Sequence, residues 1–330
     1  MKAINIERYG RPEVLKVAHI ATPQPGPGQV LIRAHAIGVG MPDILVRSGR
    51  YPWSPPLPII PGIEMSGRIS ALGEGVSSLK VGDPVLVSSR ELAIRGGCYA
   101  EMICADAAAV YRLPDSINLD DAACLSNYQV AWHVLHTALN GFHYESVLVW
   151  AAAGGVGTAL VQLAKLEGKT VFGIVSGPEK CAFALKQGAD ACIDRKSEDV
   201  AQRLHSLTHG RGVDLVLDCV GGQSFARNIR YLAALGMALN FGLLEGPPDP
   251  AFAHELNARL TDSLAVRLFS MHVLDHNREK RRSGMEAVIR LLERRSIRPH
   301  IHQRLSLEEA RRAHEMLEGG NVLGKLLLKP

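Results

Sequence analysis

The chain has 330 residues, with 37 Lys and Arg against 33 Asp and Glu, 47% hydrophobic residues and 21% charged residues. That is globular usage, which excludes a disordered or fibrous protein, and the length suits about two domains. A formal charge of +4 is too small to argue alone for nucleic acid or a membrane surface, and no apolar run approaches the roughly 18 residues of a membrane span.

Met1-Lys2-Ala3-Ile4-Asn5 has no apolar core segment and no small-residue cleavage site, so no secretory signal is expected. The cysteines Cys98, Cys104, Cys124, Cys181, Cys192 and Cys219 form no C-x-x-C pair and lie in apolar stretches. Reduced thiols and a cytoplasmic setting are expected.

Pro and Gly punctuate the first third, at Pro23–Gly28 and again at Pro52–Gly62. Between these breaks the short β-type runs Val30–Ala36, Gly67–Leu72 and Asp83–Ser88 predict a compact, mostly antiparallel β body. Asp120–Leu139 is Ala- and Leu-rich with helical spacing. Strand-like and helical segments then alternate: Ser146–Ala151, Val156–Glu167, Thr170–Ser176, Glu179–Gln187, Asp214–Cys219 and Met237–Gly242. This alternation predicts a parallel, doubly wound α/β sheet. Beyond Phe269 the pattern changes to two amphipathic helices, Glu279–Arg295 and Leu307–Glu318, and a last strand, Leu323–Leu328.

The first strand of the alternating region runs into Ala151-Ala152-Ala153-Gly154-Gly155-Val156-Gly157, an A-x-x-G-x-x-G spacing that opens a helix. Small residues at the strand end permit a tight turn. Gly154 and Gly155 let backbone approach a pyrophosphate, and Gly157 lets the helix pack close to the strand. The helix N-terminus then offers free N–H groups and its positive dipole end to phosphate. At the end of the second strand stands Ser176, where an NAD site usually has an acid for the ribose 2′-hydroxyl. Lys180 follows within the next turn, and Arg195 follows the next strand. Ser and two cations suit a 2′-phosphate, so NADPH is the expected cofactor. Cys219-Val220-Gly221 and Asn240-Phe241-Gly242 end the later strands, where doubly wound folds bind ligands.

With these residues in place the chain resembles the medium-chain dehydrogenase/reductase superfamily, and within it the zinc-independent quinone oxidoreductase group. The likeness covers nearly the whole chain. It is carried by Pro61–Gly67, Val81–Val85, Gly97–Glu101, Ala151–Gly157, Gly188–Asp190, Val213–Asp218, Arg298–Ile301 and Gly324-Lys325. The resemblance implies a Rossmann doubly wound sheet, residues 123–272, inserted into a GroES-like β-rich catalytic domain, residues 1–122 and 273–330. It implies a cofactor site of Ala153, Gly154, Gly155, Val156, Ser176, Lys180, Arg195, Cys219, Val220, Phe241, Gly242 and Lys325. Zinc-dependent relatives place Cys where this chain has Gly40 and His where it has Ile63, so no metal is expected. His133 and His136, at i and i+3, lack a third partner nearby in sequence and read more economically as packed or solvated.

Many quinone oxidoreductases have Asn at the place of Gly40 and Tyr at the place of Leu45. Tyr51 sits where enoyl-thioester reductases carry an active-site Tyr, and it is the candidate catalytic residue: a phenol there can hydrogen-bond a carbonyl as enolate charge develops. Leu45, Trp53, Tyr128, Phe241 and His272 are expected to line the acceptor pocket. The expected activity is hydride transfer from NADPH to a quinone or an α,β-unsaturated carbonyl, by a homodimer with no nucleic-acid or membrane partner. An enoyl-thioester reductase is the rival within the class. It needs basic residues for a carrier's phosphates; Arg47 and Arg50 flank Tyr51, and the run Arg278, Lys280, Arg281 and Arg282 is a further candidate that reads more economically as a solvated helix face. A non-catalytic NADPH-binding protein is the rival outside it.

Overall fold

The computed structural model describes all residues, Met1–Pro330. They divide into two compact units, Met1–Ser126 with Met285–Pro330, and Asn127–Gly284. Residues 123–126 therefore belong with the first unit and 273–284 with the second.

In the first unit a seven-stranded sheet is built around the long strand Gln29–Val39. It pairs antiparallel with Glu64–Leu72, Met102–Asp106 and Lys325–Lys329. Pro84–Ser88 and Tyr111–Arg112 extend the sheet on one side, and Ile301–Ser306, parallel to Lys325–Lys329, closes the other. The β-branched and aliphatic positions Val30, Ile32, Ile37, Met65, Ile69, Val85, Val87 and Leu328 form one core. The β-type runs of the sequence all lie on strands: Val30–Ala36 and Gly67–Leu72 are lengthened to Gln29–Val39 and Glu64–Leu72, and Asp83–Ser88 is shortened to Pro84–Ser88.

In the second unit six strands, all parallel, stand in the order Ala191–Asp194, Thr170–Val175, Ser146–Trp150, Val213–Asp218, Leu232–Asn240, Ala265–Leu268. In chain order that is 3-2-1-4-5-6, the dinucleotide-binding arrangement, whose ligand crevice lies at the carboxyl ends of the first and fourth strands. Ser146–Trp150 is buried throughout because helices cover both faces.

Three sequence expectations are corrected. The single helix over Asp120–Leu139 is a short turn, Leu119–Ala122, capped by Asn118, then a helix from Leu125 to His133 that widens into a π turn over Val134–Ala138. The strand expected just before Arg195 is Ala191–Asp194, whereas the helix Val200–Leu207, capped by Asp199, is an addition. The run from Arg278 is not simply a solvated face: Arg281 is buried and donates to the carbonyls of Leu274 and Asp275.

Candidate functional site

The glycine loop leaves the Ser146–Trp150 strand through Ala151, whose φ of 52° is left-handed. The Gly154 amide closes the turn on the Ala151 carbonyl at 2.8 Å, and the helix Gly155–Leu166 starts from there. A Cβ on Gly157 would lie 2.1 Å from the Ala151 oxygen, so only glycine permits the helix to start this close to the strand end. A Cβ on Gly173 would lie 2.9 Å from the Ala152 methyl, so the second strand makes room for the same loop. Ala153 is buried, and Gly154, Gly155 and Val156 are partly exposed. The first-turn amides of Gly155, Val156 and Gly157 have no partner within the helix, which makes this end an anion site.

At the next two strand ends the charges gather. The Lys180 ammonium donates to Ser176 Oγ at 2.9 Å. Burial lowers the Lys180 pKa, and the nearby charges of Lys196 and Arg195 lower it further. Two further cations thus act on the ammonium that donates to Ser176, an arrangement that an anion relieves. The neighbouring acid, Asp194, is turned to the backbone: it accepts from the amides of Gly177 and Lys196 and from Ser197 Oγ. These bonds, chiefly from the Lys196 amide, hold its carboxyl below the usual range. The sequence points to Lys180 and Arg195 but not to Lys196; the signal was its position directly after Arg195, just beyond the strand Ala191–Asp194.

A buried network sets the fourth and fifth strand ends. Asp218, fully buried, accepts from the amides of Val220 and Gly221 at 2.9 and 2.7 Å, and from Asn228 and Asn240 at 2.8 and 3.0 Å. Trp150 Nε1 donates to the other end of Asn228 at 2.7 Å, and Asn240 also donates to the Gly242 carbonyl. The carboxylate is compensated by four N–H donors, which fixes the turns bearing Cys219, Val220, Phe241 and Gly242. A Cβ on Gly242 would lie 2.6 Å from the Cys219 oxygen, so the two turns touch through backbone. Asp218 and Asn228 escaped sequence reasoning because their role is long-range.

Two acceptor-pocket candidates in this unit are held by internal partners. Tyr128 is buried and its hydroxyl donates to Gln162 Oε1 at 2.9 Å. His272 Nδ1 lies 2.8 Å from Asp275. The pair His133 and His136 diverges: His133 faces Thr137 at 3.0 Å, and His136 packs on Trp132 with ring centroids 3.8 Å apart.

In the first unit Leu45 lies in the helix Met41–Arg47, and its carbonyl accepts from the amides of Arg50 and Tyr51. That turn presents Tyr51, partly buried, with Trp53 edge-on at 5.5 Å; Trp53 itself is 48% exposed. Arg47 is buried in a two-point pair with Glu318, and its guanidinium also faces His314 Nδ1 at 3.4 Å. Burial, then the Arg47 charge, pushes the His314 pKa down to about 3, so the ring is neutral. Its Nε2 side meets the Tyr99 hydroxyl at 3.0 Å. Asp43 accepts from the Gly40 amide at 2.9 Å, and burial pushes its pKa up to about 7.

Lys325 is the one cofactor candidate placed in this unit. Its ammonium is buried in an ion pair with Glu64 at 2.5 Å, and the charge of Glu64 holds its pKa up against burial. A Cβ on Gly40 would lie 3.5 Å from that ammonium and 3.6 Å from Ile63 Cδ1. The position where zinc-dependent relatives carry their first ligand thus adjoins a fixed cation, and neither Gly40 nor Ile63 offers a donor atom. No three His, Cys, Asp or Glu side chains gather so as to hold a metal ion. This donor set does not fit zinc. No helix is long and apolar enough to cross a membrane.

Residues 26–115 match the family model described as alcohol dehydrogenase GroES-like domain, and residues 155–288 the one described as zinc-binding dehydrogenase. Among curated relatives, a quinone oxidoreductase of Pseudomonas aeruginosa is 34% identical over 330 residues, covering 100% of this chain and 99% of its own. The human synaptic vesicle membrane protein VAT-1 homolog is 33% identical, with 94% of this chain and 81% of its own covered. Among solved structures, Escherichia coli quinone oxidoreductase complexed with NADPH superposes with a TM-score of 0.89 at 31% identity, over 100% of both chains. The chain is an oxidoreductase that belongs to the medium-chain dehydrogenase/reductase superfamily, in its quinone oxidoreductase-like group.

Proposed function

We propose that this protein is an NADPH-dependent, zinc-independent reductase that delivers hydride to a quinone or to the β-carbon of an α,β-unsaturated carbonyl. The observation that carries the reading is the anion site at the second and third strand ends. Lys180 donates to Ser176 there with the charges of Arg195 and Lys196 close to it; of the two acids near Lys180, Asp194 is spent on backbone amides and only Glu179 remains. A 2′-phosphate suits this site and a bare ribose hydroxyl does not use it. The solved relative complexed with NADPH supports the same choice.

When bound, the nicotinamide supplies the hydride. The chain's own groups do the rest. The free amides of Gly155, Val156 and Gly157 hold pyrophosphate, and the turns fixed by Asp218 shape the floor at Cys219, Val220, Phe241 and Gly242. Tyr51 donates a hydrogen bond to the acceptor oxygen as negative charge develops on it. With Gly40 and Ile63 bearing no donor, no metal polarises that oxygen, and electron-poor acceptors are favoured over alcohols.

The enoyl-thioester alternative draws less support. Arg47 and Arg281, two of the cations it would recruit for carrier phosphates, are committed internally to Glu318 and to the carbonyls of Leu274 and Asp275. The strand Ala265–Leu268 ends the six-stranded sheet with Leu268 63% exposed, which supports pairing with a second copy along that edge. Oxidation of NADPH followed by absorbance with a panel of quinones and enones tests the reading. Turnover with neither class, from folded and NADPH-saturated protein, would leave a non-catalytic nucleotide binder instead.

A further inference from the structure

Two of the six cysteines meet beside the cation cluster. Cys181 lies in the first turn of the helix Pro178–Lys186, immediately after Lys180. Cys192 lies on the third strand, two residues before Asp194. Each thiol is close enough to the other to shift its pKa. Cys192 Sγ is turned to the face of the sheet that this helix covers: a Cβ on Gly173 would touch both it, at 3.6 Å, and the Ala184 methyl of the helix, at 3.7 Å. Both cysteines are free and partly exposed, so small oxidants reach them. The other four lie in other parts of the fold: Cys98 and Cys124 are buried in the first unit, Cys104 is on a strand of that unit, and Cys219 is in the turn after the fourth strand.

We propose that Cys181 and Cys192 form a reversible disulfide that clamps the Pro178–Lys186 helix to the third strand and weakens the grip of the strand-end cations on a 2′-phosphate. The oxidant is a hydroperoxide. The Cys181 thiolate displaces the terminal oxygen of hydrogen peroxide, giving a sulfenic acid and hydroxide. The Cys192 thiol then attacks the sulfenic sulfur, and water leaves. The balance is two thiols and one peroxide to one disulfide and two waters, and an external dithiol reverses it. Burial holds both thiols protonated at rest, helped by Asp194 and Glu198 at Cys181 and by Cys181 and Glu198 at Cys192, so the reaction is slow and needs sustained oxidant. The same high thiol basicity makes each a poor leaving group, so the bond is durable once formed.

The coupling to the nucleotide end is geometric. A disulfide draws two sulfurs closer than any non-bonded contact holds them. Cys181 is adjacent to Lys180, so the first turn moves toward the third strand and carries Lys180 from Ser176. Gly177, at φ 123°, precedes the helix and can swing because it has no side chain. This second part rests on the NADPH reading above.

The test treats the reduced full-length protein, under native conditions, with hydrogen peroxide, followed by alkylation and tryptic digestion. Trypsin separates Cys181–Lys186 from Gln187–Arg195, so the bond appears as a linked peptide pair that dithiothreitol splits. Titratable thiols should fall by two, and Cys181→Ser or Cys192→Ser should abolish the linked pair. NADPH affinity of the oxidised protein should fall at least threefold with NADH affinity unchanged, and the double serine variant should lose this response. Over-oxidation of Cys181 and Cys192 as separate acids, or pairing of either with another cysteine, would overturn the site. The linked pair with unchanged NADPH affinity would overturn the coupling. Equal NADPH and NADH affinities in the reduced protein would instead refute the cofactor reading, and leave the peptide mapping as the test of the disulfide.

Discussion

Replacing Gly157 with Ala adds one methyl group at the point where the glycine-loop helix meets its strand. That carbon would lie 2.1 Å from the Ala151 oxygen and 2.8 Å from the Ala151 carbonyl carbon and the Ala152 Cα. All three atoms are backbone, so no rotamer change relieves the clash. Reaching ordinary van der Waals contact needs a retreat of more than about 1 Å. Ala151 already holds a left-handed φ and has little freedom to give way. The helix start must therefore lift, at a cost of about 1–3 kcal/mol for overpacking of this kind. In a unit of this size that is a loss of roughly 2–12 °C in Tm. The displaced Gly155–Gly157 amides should also lose pyrophosphate, raising the NADPH Kd about tenfold, which is about 1.4 kcal/mol. Gly154→Ala is the control. Its Cβ would meet only the Ala151 oxygen, at 3.3 Å, and its φ of −81° suits any residue. It should cost less than about 1 kcal/mol. Scanning fluorimetry and calorimetric titration read both effects. Wild-type melting and wild-type NADPH affinity for Gly157→Ala, or equal losses for the two variants, would refute the reasoning.

Three further outcomes are expected. Burial lifts the Asp43 pKa to about 7 from 3.8, so its contribution is complete below about pH 4 and is lost as pH rises to about 7. Asp43→Asn should therefore gain stability relative to wild type by about 1.4 kcal/mol per pH unit across that window; denaturant unfolding at pH 5, 6 and 8 checks this, and a pH-independent difference contradicts it. Tyr51→Phe should lower kcat and kcat/KM together by roughly 10²-fold on enones and leave NADPH binding intact; a change in KM alone would make Tyr51 a packing residue. Chelator treatment should alter neither turnover nor Tm, and stoichiometric zinc lost together with activity would show the reading of Gly40 and Ile63 to be mistaken.

What was legible in the sequence was what local chemistry dictates. Val30–Ala36 and Ser146–Ala151 are apolar and β-branched, and they fall on strands. The glycine loop was legible because Gly157 answers a steric demand set only a few residues away. The bounds of Ala191–Asp194 were not: four residues give too little periodicity, and the partner Thr170–Val175 supplies the pairing. The helix over Asp120–Leu139 misled because helical spacing persists through the break near Ala123, while Asn118 caps only the first short turn. Charge was least legible. Arg47, Arg281 and Lys325 read as cations free to meet a ligand, but each is buried against partners at a distance in sequence or in the next turn. The sites of Asp218, Asn228 and Lys196 depend on strand order, which no local pattern states.

Cofactor choice is tested most directly by the affinities of wild type, Lys180→Ala and Lys196→Ala for NADPH and for NADH, measured by fluorescence titration at fixed ionic strength. Wild type should bind NADPH at least tenfold tighter. Each variant should weaken NADPH by about five- to tenfold, the worth of one partly exposed charge-assisted contact, and should leave NADH unchanged. Equal affinity for the two cofactors in wild type, or variants that weaken both alike, would contradict a 2′-phosphate site at Ser176.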